Sequence, residues 1–260
     1  MRIGAVLLSV SMLCTTAAQA GVVVHFSSKS LPAGPPRKDQ VMYAQNGLLR
    51  IDKLDDRGQV RETTILREGV IWLLNVPAHT YRKMDKNAMA AQNGALQDKM
   101  KGYVQSLPPE KRAMFEKRMA SLQQNAHDYS VSASGRSEHV GSYTCEVWRA
   151  SRDGKVFTEN CIAPQGSLPG GDELVKAVHN GSAIAADVIS ATPQAARMMD
   201  PMYALYGKMN GFPVLVRYMS GTVANREEAV TAIEKQSLPA DQFAIPKGFT
   251  ETPLGAPEGR

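Results

Sequence analysis

The sequence predicts an α+β fold organised on antiparallel strands, and three observations carry that reading. Short β-branched and apolar runs are punctuated by Asn46-Gly47, Asp55-Asp56-Arg57-Gly58, Glu68-Gly69 and Pro77-Ala78, the spacing of successive hairpins. Between Lys86 and Gln124 the apolar period changes from that of a strand to that of a helix. Two cysteines, Cys145 and Cys161, then flank a glycine-containing hairpin loop. Composition agrees: 260 residues, 43% hydrophobic and 21% charged, exclude a disordered, collagen-like or disulfide-dense chain. The net charge of +5 is scattered with no dense Lys/Arg stripe, which argues against a nucleic-acid partner.

The first twenty residues read as an address. Arg2 supplies a positive charge, Ile3 to Leu13 is nearly all apolar, and Ala18-Gln19-Ala20 offers small residues where a signal peptidase cleaves. The run is too short for a permanent membrane span. Cys14 follows Leu13, whereas lipidated cysteines usually follow Gly, Ala or Ser, so a lipoprotein signal fits badly. The expectation is cleavage after Ala20 and a soluble periplasmic protein: one domain over 21–252, with a helical insertion near 86–124 and a flexible tail at 253–260.

Along that domain, Val22 to Phe26 is the first strand, and Ser27 to Asp39, with Pro32, Gly34, Pro35 and Pro36, is a loop or irregular edge. Val41 to Gln45 leads through Asn46-Gly47 into Leu48 to Asp52, and Glu62 to Leu66 follows the next turn. Val70-Ile71-Trp72-Leu73-Leu74 is continuously apolar, which implies cover on both faces. Thr80 to Met84 closes the meander. Asp85 is an N-cap for a helix from Lys86 to Gln105, Pro108-Pro109 breaks it, and Glu110 to Gln124 is a second helix.

Strands resume at Tyr129 to Ala133. Export leaves Cys145 and Cys161 as an even pair in an oxidising compartment, which reads as one disulfide; no C-x-x-C spacing favours a redox or metal-binding pair. A three-residue loop, Arg152-Asp153-Gly154, pairs Ser151 with Lys155 and puts Cys145 opposite Cys161. Pro169-Gly170-Gly171-Asp172 opens a helix to about His179. Gln194 to Lys208 is helical around Pro201, and Asn210-Gly211 turns into the strand Phe212 to Tyr218. Arg226 to Gln236 is helical by composition and a strand by position. Asn180-Gly181-Ser182 matches a glycosylation sequon and reads more simply as a turn.

Several landmarks together resemble a known group: Tyr43…Asn46-Gly47-Leu48-Leu49-Arg50-Ile51-Asp52, Val70 to Asn75 with Thr80-Tyr81, Gly141-Ser142-Tyr143-Thr144-Cys145, Gly211-Phe212-Pro213-Val214, and Leu238 to Phe249. The chain is similar to exported bacterial proteins of an uncharacterised domain family whose fold is like that of the periplasmic lipoprotein carriers, the LolA/LolB-like superfamily. That resemblance implies an incomplete antiparallel β-barrel, a curled sheet of about ten strands wrapped around helices, with a cavity for a lipid, an acyl chain or a lipoprotein. A transient contact with an envelope protein or a membrane surface is implied as well.

Methionine suits surfaces that accept varied apolar shapes, and Met89, Met100, Met114, Met119, Met198, Met199, Met202 and Met209 all fall in helical segments. Cavity lining is therefore assigned to Trp72, Leu74, Met89, Met100, Met114, Met198 and Met202, with plain core packing as the alternative for each. No nucleophile elbow, HExxH, P-loop or dinucleotide fingerprint is present, so no catalysis and no cofactor is expected. His25, His79, His127, His139 and His179 share no short metal-ligand spacing, though distant His and Met residues would suit copper. The leading reading is a carrier of an apolar ligand. The alternative is an envelope structural or stress-related protein with a filled barrel that acts through protein contacts.

Overall fold

The computed structural model describes residues 20–124, 128–192, 201–239 and 241–254; of 118–124 only the backbone is described. Among the described residues one sheet of 12 strands organises the chain, two more than the roughly ten expected. Strands β1 (Ala20–Ser30), β2 (Arg37–Gln45), β3 (Leu48–Leu54), β4 (Val60–Arg67), β5 (Val70–Asn75) and β6 (Thr80–Met84) form one meander. Strands β7 (Tyr129–Val140), β8 (Tyr143–Arg152), β9 (Lys155–Ala163), β10 (Phe212–Ser220) and β11 (Val223–Ser237) form a second. Pairing of β1 with β11 stitches the two together, and β12 (Thr250–Glu251) adds a short parallel strand beside β6. The order β12-β6-β5-β4-β3-β2-β1-β11-β10-β9-β8-β7 leaves β12 and β7 at opposite ends, so the curled sheet does not close.

Turn chemistry explains the hairpins. Asn46-Gly47 (φ 55° and 74°), Glu68-Gly69 (51° and 76°) and Asp153-Gly154 (52° and 74°) are two-residue turns with both residues left-handed, the geometry that matches strand twist. The last corrects the expected three-residue loop. Arg152 pairs with Lys155, and a bulge follows between Ala150 and Ser151. Cys161 therefore faces Val147 rather than Cys145. The disulfide still forms, diagonally, between Cα atoms 5.2 Å apart. Asp at position 153 tolerates the left-handed region, which makes the tighter loop available.

Four α-helices accompany the sheet among the described residues: α1 (Lys86–Ser106), α2 (Pro109–Gln124), α3 (Gly171–Ala191) and the single turn α4 (Met202–Leu205). The Asp85 cap holds as expected, with its Oδ1 accepting from the Ala88 N–H at 2.8 Å. Helix α3 runs twelve residues beyond His179 because Asn180-Gly181-Ser182 is helix interior, not a turn. Leu174, Val178, Gly181, Ala185 and Val188 form one buried stripe at alternating spacings of four and three. Segment 226–236 is strand, since β11 lies between β1 and β10 and both its edges are used. The expected loop at 27–39 is shorter, because β1 continues to Ser30 and β2 starts at Arg37.

The core of the described residues has three parts. The α3 stripe packs with Val22, Val24, Phe26, Ile51, Phe212 and Val214. On another face, Leu238 and Phe243, from the segment that follows β11, cover Val23, Ile65 and Leu74. A third cluster joins Met202, Leu205 and Met209 to Ala150 and Ile162. Both faces of β5 are covered, as its apolar run predicted: Ile71 and Leu73 belong to the α3 side, Trp72 and Leu74 to the other. Among the described residues no helix is long and apolar enough to cross a membrane. The sequence between Met1 and Gln19, the first part of the address, lies outside the described residues, as do residues 255–260 of the expected tail.

Candidate functional site

Two regions are candidates: the seam between α3 and the sheet, and the helical hairpin α1–α2. The seam is built by ties in the first turn and at the middle of α3. Glu173 Oε1 accepts from the Gly47 N–H at 2.7 Å, and the Asn180 amide donates to the Gly47 carbonyl at 3.2 Å, so α3 is pinned to the β2–β3 turn. Ser182 Oγ donates to the Ala204 carbonyl at 3.0 Å and accepts from the Gly207 N–H at 2.7 Å, which holds α4 against α3. Between these ties the surfaces meet closely. A Cβ placed on Gly181 would lie 3.0 Å from Leu49 Cδ2 and 3.4 Å from Leu66 Cδ2. The facing residues Leu174, Ala177, Ala185, Phe212 and Val214 have no exposure at all.

The residues assigned to a cavity lining do not share one space. Met89 is 1% exposed and belongs to the core under α3. Leu74 is buried on the other face of β5, and Trp72 is half-buried there against Tyr81, ring centroids 5.7 Å apart. Met202 is buried in the third cluster. Met100 is half-buried on α1, and Met114 on α2 is 75% exposed. Met198 lies outside the described residues. Helical spacing marked methionines as interior without showing which helices reach the core: α1 buries Met89 and nothing beyond it.

Past that first turn, α1 and α2 leave the body of the protein. Arg112 donates from Nη2 to the carbonyls of Gln105 at 3.1 Å and Leu107 at 3.3 Å, satisfying the C-terminus of α1. Tyr103 and Phe115 meet edge to face at 5.8 Å, so α2 folds back along α1. The apolar residues of this hairpin are only partly covered: Tyr103 is 57% exposed and Leu96 is 41% exposed.

Electrostatics concentrate on a row that runs from β1 across the second meander, and it was not legible in the sequence because its members are far apart along the chain. Lys29, Glu227, Arg217, Glu159 and Arg149 are successive register partners on β1, β11, β10, β9 and β8. Ion pairs join Lys29 to Glu227 at 3.0 Å, Arg217 to Glu227 at 3.1 Å and Arg149 to Glu159 at 3.1 Å. Partial burial pulls the Glu159 and Glu227 carboxyls up, but their arginine and lysine partners outweigh it and hold both below the usual range. A groove of about 510 Å³ lies by the β3–β4 turn, lined by Arg37, Lys38, Asp55, Asp56 and Gly58. Among the described residues no cluster of three His, Cys, Asp or Glu is arranged to hold a metal.

No protein-family model matches this chain, and no curated protein does. Solved structures are similar in outline only. An uncharacterized conserved protein from Thermus thermophilus aligns over 90% of both chains with 8% identity and a TM-score of 0.43. A structure of PNGF-II aligns over 90% of this chain with 6% identity and a TM-score of 0.44, and this chain spans only 31% of that one.

Proposed function

We propose that this chain is a non-catalytic exported envelope protein that works through contacts at its surface, with the half-barrel filled by its own helix. One observation carries the reading: the α3–sheet seam is closed by the protein's own side chains, with Gly181 set against Leu49 and Leu66. Where helix and sheet meet this closely, a guest between them needs α3 to move. Export is supported by the Cys145–Cys161 disulfide, which belongs in an oxidising compartment, together with the Ala18-Gln19-Ala20 sequence. The curled, unclosed sheet with α3 packed on it is the coarse architecture that the resemblance to lipoprotein carriers implies, and it supports this reading at that level alone.

The carrier reading keeps one specific support. Met84 and Met89 lie in the core beneath α3, and methionine repacks more readily than branched side chains. A lipid or acyl chain would then enter by displacing α3 from its ties to Gly47. Extraction of the purified protein followed by mass spectrometry, with titration of a fluorescent fatty acid, separates the two. The filled half-barrel predicts no co-purifying lipid and no saturable uptake. A stoichiometric lipid in the extract overturns it in favour of the carrier.

A further inference from the structure

We infer that the α1–α2 hairpin docks this protein on an anionic phospholipid surface. The inference names the partner for the surface-acting reading above and rests on it for why the protein needs a docking element.

The charge distribution is the first argument. Between Lys86 and Gln124 there are seven basic residues (Lys86, Lys99, Lys101, Lys111, Arg112, Lys117 and Arg118) against three acidic ones (Asp98, Glu110 and Glu116). That is a net +4 in a chain whose total is +5, so basic residues that look scattered along the sequence place nearly all the excess on one element. The rest of the molecule is close to neutral, with its arginines and lysines on β1 and β7–β11 largely committed to carboxylates.

Apolar exposure is the second argument, and it falls on the same element. Three of the four large hydrophobic side chains exposed among the described residues, Leu96, Tyr103 and Met114, sit on this hairpin. Leu96 and Tyr103 lie seven residues apart on one face of α1, and Tyr103 meets Phe115 beside Met114. Lys99, Lys111 and Lys117 are exposed around them. Exposed apolar and aromatic side chains with cations nearby along the same helices bind where headgroups carry negative charge over an apolar layer. Few large apolar side chains together with a net charge of +4 are what an anionic headgroup layer over an apolar interior complements, and that combination selects a lipid surface as the partner.

The third argument is mechanical. The hairpin is anchored through the α1 N-terminus, by Met89, the Asp85 cap and the Lys86–Asp187 pair at 3.4 Å. Tyr103, Met114, Lys99, Lys101, Lys111 and Lys117 are exposed and make no part of that anchor, so substituting them should leave the body of the fold in place.

The test is co-sedimentation of the exported protein, with the segment up to Ala20 removed, with vesicles of phosphatidylcholine alone and of phosphatidylcholine mixed with phosphatidylglycerol. Binding is expected to the anionic vesicles only, and to be lost between about 0.05 and about 0.5 M salt. The variant Lys99→Gln/Lys101→Gln/Lys111→Gln/Lys117→Gln should partition at least about tenfold less, since each cation at such a surface is worth a several-fold factor. Tyr103→Ser/Met114→Gln should weaken binding at equal charge, and circular dichroism should show both variants folded. Three results overturn the inference: no binding to anionic vesicles by the folded protein, equal binding to neutral ones, or unchanged binding by the lysine variant. A second copy held through Tyr103, seen as a dimer in analytical ultracentrifugation that the Tyr103→Ser/Met114→Gln variant abolishes, also overturns it. Failure of the filled-barrel reading shows separately, as a lipid extracted from protein never exposed to vesicles.

Discussion

Arg217 on β10 reaches Glu138 on β7 across two intervening strands, its Nη1 lying 2.8 Å from one carboxylate oxygen and 3.1 Å from the other. A flat sheet would hold these strands too far apart, since neighbours are spaced by about 4.8 Å. The pair therefore marks where the sheet rolls over, helped by the irregularity between Ala133 and Ser137 that bends β7. Arg217 also bonds Glu227, so one guanidinium joins the rolled edge to the centre of the sheet.

Removing that guanidinium should loosen the roll. Arg217→Gln leaves Glu138 and Glu227 short of a partner in a half-buried site, and a loss of about 1–2 kcal/mol is expected, between the values for exposed and buried pairs. Urea denaturation of the variant measures it. An unchanged midpoint would mean the roll is held by backbone pairing alone.

Acid should act on the same row. Glu159 and Glu227 titrate below the ordinary glutamate value when folded, so the unfolded chain takes up their protons first as pH falls. Their contribution is complete above the ordinary glutamate range and declines as pH drops through it towards the depressed folded values. Arg136 and Arg149 are half-exposed, so solvent screens part of the effect. Wild-type stability, followed by urea midpoints between about pH 6 and about pH 3, should fall more steeply than that of the Glu159→Gln/Glu227→Gln variant.

Reducing the disulfide should weaken the β8–β9 hairpin. Cys145 and Cys161 close a separation of 16 residues, which corresponds to about 3 kcal/mol in the chain-entropy account. The hairpin turn already restricts the unfolded loop, so the measured loss should fall at or below that figure. Denaturation with and without reductant, and of Cys145→Ala/Cys161→Ala, checks it; a double variant as stable as wild type would assign the pair no structural role.

Much of this architecture is legible in residue types, and the exceptions share one cause. Asn46-Gly47, Glu68-Gly69, the Asp85 cap and the cysteine pair act through local geometry, so a reader of the chain finds them. Asn180-Gly181 has the same turn-like look as Asn46-Gly47, yet it lies inside α3, because burial of Ala185 and Val188 on the sheet outweighs the local preference. Segment 226–236 has helix-favouring Glu, Ala and Lys, yet becomes a central strand because β1 and β10 both need a partner. The site assignment failed for a related reason. Met89 and Met114 carry the same chemistry at helical spacing, and only the exit of the hairpin from the core makes one buried and the other exposed. The ion-pair row needed registers that no local pattern contains.

The segment after β11 should behave as a strap. Phe243 and Leu238 cover Val23, Ile65 and Leu74, Arg50 donates to the Gln242 carbonyl at 2.9 Å, and the Thr250 N–H donates to the His79 carbonyl at 3.0 Å. Phe243→Ala should cost about 3–4 kcal/mol as a buried aromatic truncation. Trp72 belongs to this cluster, so truncation of the chain after Ser237 should shift its fluorescence to the red. Trp148→Phe as background isolates that signal, and an unshifted spectrum would place the strap off the Trp72 face.

Position 181 gives the sharpest separation of a filled from an empty half-barrel. Gly181→Ala adds one carbon 3.0 Å from Leu49 Cδ2, the flexible end of a side chain, while relieving the helix of glycine's cost of about 1 kcal/mol, so the two effects nearly cancel. Gly181→Leu adds three carbons more to a seam already lined by Leu49 and Leu66, and overpacking should cost about 1–3 kcal/mol. An open apolar space behind Gly181 reverses the sign, because the new leucine would bury itself in it and stabilise the fold. Thermal and urea denaturation of the two variants side by side therefore reads the interior directly: a less stable leucine variant means a filled seam, and a more stable one means room for a guest.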